Sequence, residues 1–98
     1  MLPKKRQPAH PGRILLEQFL QPMELTQADF VRHLGGTWTN TKLNELIHGR
    51  RGITVDIALA FSQALNTSPQ FWLNLQMTYD LYKAMQNMEE IPPIQEAM

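Results

Sequence analysis

Residues 39–54, "TNTKLNELIHGRRGIT", hold the pattern on which the reading of this chain turns. At helical spacing Leu43, Leu46 and Ile47 share one side, while Thr41, Asn44, Glu45 and His48 share the other. Such a stretch is a helix with one side against a core and the other facing out. The side chains of Thr41, Lys42, Asn44 and Glu45 are of the kinds that hydrogen-bond to base edges or phosphates. The helix is expected to run from Thr39 or Asn40 to His48, with Gly49 as the residue just past its end. Arg50 and Arg51 follow at once.

The segment before it has its own start and stop signals. In "TQAD", Thr26 is the expected N-cap, and Asp29 three residues on completes a capping-box arrangement. Phe30, Val31 and Leu34 point inward, and Gly35-Gly36 ends the helix. A helix over about 26–34, a glycine turn, and a second helix over about 40–48 with a polar outer face form a helix-turn-helix pattern. The second helix of such a pair fits the major groove of B-DNA. The first lies across the backbone, so its N-terminal amides, Thr26 and Gln27 meet phosphate. Arg50 and Arg51 are placed to neutralise phosphates. Plainer readings stand beside these. Asn44 and Glu45 also suit a solvated surface, and two arginines at a helix C-terminus are favourable without any ligand. His48 suits a helix end better than a base contact.

The rest of the chain reads as helices. Helix 1 is expected to begin near Pro11, with Leu15, Leu16, Phe19 and Leu20 as its apolar stripe and Pro22 as its end. Helix 4 is capped by Thr54, runs to about Leu65, and has so few polar positions that it is expected to pack on several sides. Ser68 and Pro69 open helix 5. That helix has more apolar surface than one side can use. Phe71, Leu75, Tyr82 and Met85 suggest one stripe and Trp72 and Tyr79 another, with Leu73 and Met77 beside them. An exposed aromatic stripe marks an interface, so Phe71, Trp72, Leu75, Tyr79 and Tyr82 are the candidates for a homodimer contact. Core and interface readings both remain open for Trp72 and Tyr79. The fold class is all-α with five helices. A flexible basic arm is expected over 1–9, one helix-turn-helix domain over 10–86, and a disordered tail over 87–98.

Composition narrows the function classes. The 98 residues allow one domain, and the 43% hydrophobic content is that of a globular protein. There is no cysteine, and His10, His33 and His48 lack ligand-like spacing, so neither a metal nor another cofactor is expected. No run is long and apolar enough for a membrane span, and Glu17 interrupts "ILLEQFL", so a cytoplasmic protein with no membrane partner is expected. The net charge of zero conceals a split. Residues 1–52 hold eight of the nine basic residues against four acids, a local +4, while 53–98 hold one lysine and five acids, a local −4. The first half is therefore suited to face a polyanion. No nucleophile–base pair or phosphate-cradling glycine loop argues for an enzyme.

On "HPGRILLEQFLQPMELTQADFVRHLG" (10–35) and "KLNELIHGRRGITVDIALAFSQALNTSPQFWLNLQMTYDL" (42–81), the chain resembles the HigA-type antitoxins of the XRE/λ-repressor-like helix-turn-helix superfamily. The resemblance covers about three quarters of the chain, and "GRRGIT" followed by "LNTSPQFWLNLQ" is its most specific part. It implies a λ-repressor-like domain with a C-terminal dimerisation helix. It further implies a type II antitoxin that binds and neutralises a HigB-type mRNA endonuclease toxin and represses its own operon on double-stranded operator DNA, as a homodimer. Gln27 then has the phosphate-contacting role, Asn40, Thr41, Lys42 and Asn44 lie on the reading helix, and Arg50 and Arg51 lie beside the backbone. One departure falls in "GGTWTN", two residues longer than in many relatives, which leaves open the roles of Thr37, Trp38, Thr39 and Asn40. Packing of Trp38 under the turn is preferred to a place at the DNA surface. The alternative functions are a stand-alone phage-type repressor without a toxin, and a helical interaction module that has lost DNA binding.

Overall fold

The computed structural model describes residues 6–94. Most of the expected arm, residues 1–5, and the end of the expected tail, 95–98, lie outside the described residues. Within them there are five α-helices and no strand: α1 (Pro11–Leu15), α2 (Gln27–Leu34), α3 (Asn40–Ile47), α4 (Val55–Leu65) and α5 (Pro69–Asn87). Helix α1 passes without a break into a π-helical turn, Leu16–Leu20. There the Gln21 N–H reaches back five residues to the Leu16 carbonyl, at 2.9 Å.

Local chemistry sets each boundary. The Thr26 hydroxyl accepts from the Asp29 N–H and the Asp29 carboxylate accepts from the Thr26 N–H, both at 3.0 Å, a complete capping box. Hydroxyls also start α3 (Thr39, 3.1 Å to the Lys42 N–H), α4 (Thr54, 3.3 Å to Ile57) and α5 (Ser68, 3.1 Å to Phe71). Helix α1 begins differently, with Nδ1 of His10 accepting from the Gly12 N–H at 3.0 Å. Gly35 and Gly36, at φ +65° and +60°, turn the chain out of α2 in a region closed to most residues.

The core comprises Leu15, Leu20, Phe30, Leu43, Leu46, Ile47, Ile53, Ile57, Ala58, Phe61 and Trp72. Its centre is aromatic. Phe61 lies 5.6 Å from Phe30, 5.6 Å from Trp38 and 5.2 Å from Trp72, centroid to centroid. Trp72 also meets Phe19 and Phe71 at 5.3 and 5.0 Å, and its indole N–H donates to the Thr67 hydroxyl at 2.7 Å. Burying so large a side chain is tolerable because its single polar atom has a partner.

Three expectations change. Trp72 is fully buried in the single chain, so it has no surface for a dimer contact and belongs to the core. Helix α4 is not covered all round: Ile57, Ala58 and Phe61 face inward, but Val55 and Leu59 are exposed. On α5 the packed side is the one around Trp72. Leu75 packs against the core, and Tyr79 is half-buried with its ring 4.8 Å from that of His10. Phe71 lies at the edge of this side, against Phe19 and Trp72. Tyr82 follows two turns beyond Leu75 and is half-buried. The free apolar side is Met77, Leu81 and Ala84, in steps of four and three residues, with Leu73 at its edge packed against the core; Met77 and Leu81 are 55% and 48% exposed.

Candidate nucleic-acid interface

Helix α3 is pinned from inside. Leu43, Leu46 and Ile47 are buried, so Asn40, Thr41, Asn44 and Glu45 turn outward. They meet the start of α2 across an open groove lined by Thr26, Gln27, Ala28, Asn40, Thr41, Asn44, Glu45 and Arg50. Seven of these eight residues were singled out from the sequence. Ala28 was not; its small side chain leaves the floor of the groove low, a signal visible only once the two helices are side by side. The Asn44 amide donates to the Gln27 side-chain oxygen at 3.4 Å, a long hydrogen bond that ties α3 to α2.

The remaining candidates have local duties. The Thr39 hydroxyl is held in its cap, and that of Thr26 in the capping box. The Lys42 ammonium lies 4.2 Å from the centroid of Trp38, over the ring. Trp38 itself stacks on Phe61, so the longer turn packs its indole beneath it. Nδ1 of His48 donates back to the Asn44 carbonyl at 2.9 Å, which fits a helix-end residue.

The two arginines differ. Arg51 pairs with Glu45, Nη2 to Oε1 at 2.9 Å, with both side chains well exposed. An exposed pair of this kind contributes about 0–1 kcal/mol, so a phosphate can displace the carboxylate. Arg50 is exposed on the groove and forms no ion pair among the described residues. The sum is a polar, hydrogen-bonding surface one helix wide, with cationic side chains at its rim. It can read base edges and hold a backbone. No three His, Asp or Glu side chains among the described residues are grouped to hold a metal. No helix among them is long and apolar enough to cross a membrane.

Supports for α3 that sequence reasoning passed over come from α1 and α5. A Cβ on Gly12 would lie 1.9 Å from the Leu46 carbonyl oxygen, so the first turn of α1 touches the α3 backbone directly. The signal was present: a glycine in a first helical turn costs stability unless close approach requires it. The His10 ring, 3.7 Å from the position of a Cβ on Gly49, lies under the α3 exit. Burial holds its pKa below the ordinary value, opposed by Asp80 and assisted by Lys83. At the other end of the site, the Thr26 backbone N–H and then its hydroxyl hold the Asp29 carboxyl below the usual carboxylate range, with a smaller contribution from Arg32.

No protein-family model matches the chain. Individual relatives do. The antitoxin HigA-1 of Vibrio cholerae is 35% identical over 86 residues, covering 88% of this chain and 79% of that protein. An uncharacterized HTH-type transcriptional regulator of Haemophilus influenzae is 35% identical over 82 residues, 84% of this chain and 75% of its own. The solved structure of the Pseudomonas aeruginosa antitoxin HigA with the higBA promoter superposes with a TM-score of 0.79 at 34% identity, covering 90% of this chain and 99% of that one. With this fold, this site and these similarities, the chain belongs to the HigA antitoxin family of helix-turn-helix regulators.

Proposed function

We propose that the chain is the antitoxin of a type II toxin–antitoxin pair, which binds operator DNA through α2 and α3, represses its own operon, and neutralises a HigB-type mRNA endonuclease in the cytoplasm. The observation that carries the DNA-binding part is the open groove where Asn40, Thr41, Asn44 and Arg50 face the start of α2. In this reading Asn44 and Thr41 meet base edges, Lys42 and Glu45 flank them, and Gln27, the α2 amides, Arg50 and Arg51 hold phosphates. Thr26 and Thr39 act through their caps. The protein works as a homodimer on an inverted repeat, with half-sites roughly 34–36 Å or a multiple of that apart. The dimer forms through α5, by the stripe Leu73, Met77, Leu81 and Ala84 rather than by the aromatic side that the domain itself covers.

A mobility-shift titration of the chain against its own upstream DNA, with a scrambled duplex as control, tests the first half. Equal affinity for both duplexes would remove the repressor reading. Co-expression with the product of the neighbouring gene, followed by co-purification and a growth test, checks the second half. The relatedness to an HTH-type regulator favours one second reading, a stand-alone repressor. Specific DNA binding with no co-purifying partner and no rescue of growth would select it.

A further inference from the structure

We infer that Gln76, in the middle of α5, is the residue that sets the Arg50–Arg51 turn for DNA; the inference rests on the DNA-binding reading above. Its side-chain oxygen accepts from the backbone N–H of Ile53 at 2.7 Å, across 23 residues of chain. Ile53 is buried, so without Gln76 this N–H would lack a partner in a place with little water. The amide is held from behind as well, since Nε2 of Gln76 donates to the Asp80 carboxylate at 2.9 Å.

Gly52 lies against the same group. A Cβ there would stand 3.1–3.2 Å from the Gln76 amide atoms, closer than an ordinary contact. The φ of Gly52 is not in the positive region, so glycine is needed here for space and not for a turn. The strand of chain that leaves α3 is therefore pinned twice. On one side the Arg50 N–H is bonded to the Glu45 carbonyl at 2.8 Å, and on the other the Ile53 N–H is bonded to Gln76. Arg50 and Arg51 lie at and just after the first pin, three and two residues before the second. A pinned arginine turn meets a phosphate with little loss of freedom; a loosened one must be ordered at the moment of binding. Ordering one residue costs about 1–2 kcal/mol, which is roughly a tenfold loss of affinity.

Gln76 also lines the apolar groove of Ile53, Leu73, Met77, Leu81 and Ala84. The residue that steadies the arginines thus sits in the wall of the surface assigned to the second copy.

The test uses the full chain. Gln76→Met keeps the length of the side chain and removes the acceptor. Its affinity for operator DNA is expected to fall roughly tenfold. The loss should disappear in an Arg50→Ala, Arg51→Ala background, because residues that act through one another are not additive. The exchange pair Gln76→Glu with Asp80→Asn keeps an acceptor for Ile53 and a hydrogen bond behind it, and should restore binding. Gly52→Ala, which crowds the amide without touching the core, should mimic the loss and serves if Gln76→Met does not fold. Full affinity in both single variants, or a loss of the same size without the arginines, would overturn the inference. Failure of the unaltered chain to prefer its operator would overturn the DNA-binding reading, and this one with it.

Discussion

Helix α3 has eight residues and one apolar stripe; α5 has nineteen and two. In α3 all three apolar side chains are buried, so the polar side has only one direction to face. In α5 the stripe around Trp72 is taken by the domain and the stripe of Met77, Leu81 and Ala84 is left free. A helix with one stripe thus announces its outer face, whereas a helix with two announces only that a further contact exists. Substitutions on each helix test that difference.

The largest effects belong to the covered sides. Trp72→Ala is expected to lower stability by about 3–5 kcal/mol, since it empties the centre of the aromatic cluster and leaves Thr67 without its donor. Gly12→Ala should cost about 3 kcal/mol or more, because the α3 carbonyl 1.9 Å away is backbone and can move only with its helix. Denaturant unfolding checks both; a loss below 1 kcal/mol in either would mean that the helices separate easily.

A smaller effect is expected at the outer faces. Asn44→Ala should weaken operator binding by roughly 1–3 kcal/mol and relax preference at one base pair. Arg50→Ala should weaken all duplexes alike and lower the slope of log affinity against log salt by roughly one per site. Titrations of both variants against specific and scrambled duplexes at several salt concentrations separate these roles. A reduced salt slope in Asn44→Ala would make it a phosphate contact.

On α5, Met77→Glu with Leu81→Glu should convert the proposed dimer to a monomer at tens of micromolar in light scattering. It should leave the unfolding of the single chain within about 0.5 kcal/mol, as surface changes do. An unchanged dimer would move the interface elsewhere, Val55 and Leu59 being the next exposed apolar pair.

The smallest effect is one of pH. Burial favours neutral His10, and its Nδ1 must stay unprotonated to cap α1. The folded chain therefore binds a proton less readily than the unfolded one. The contribution is complete above the unfolded pKa of about 6.5 and is lost as pH falls through the lower folded value. His10→Asn, which keeps a capping acceptor but does not titrate, should flatten stability against pH below about 6.5. An unchanged slope in urea titrations at pH 5 and 7 would assign the dependence to other groups.

These contrasts also explain what was legible in the sequence. Caps are local, and Thr26, Asp29, Thr54 and Ser68 declare themselves within four residues. The outer side of α3 follows from three leucine and isoleucine positions. The facing of α5 depends on which stripe meets Phe19 and Phe61, residues far away in the chain, and periodicity does not encode that choice. Gln76 was equally hidden, because its partner lies 23 residues upstream. His10 reads as an unremarkable residue before a proline until its ring nitrogen is seen on the Gly12 amide.

The hydroxyl caps have a consequence for time as well as for place. Four of the five helices start at a Thr or Ser that can act before any distant residue arrives, and the links between α2, α3, α4 and α5 are only residues 35–39, 48–54 and 66–68. Small helical domains with such local wiring fold in about microseconds to milliseconds. A ribosome that adds about 5–20 residues per second takes longer than that over a single amino acid. Once the helices are free of the ribosome, the groove between α2 and α3 therefore forms in less time than the addition of one residue takes.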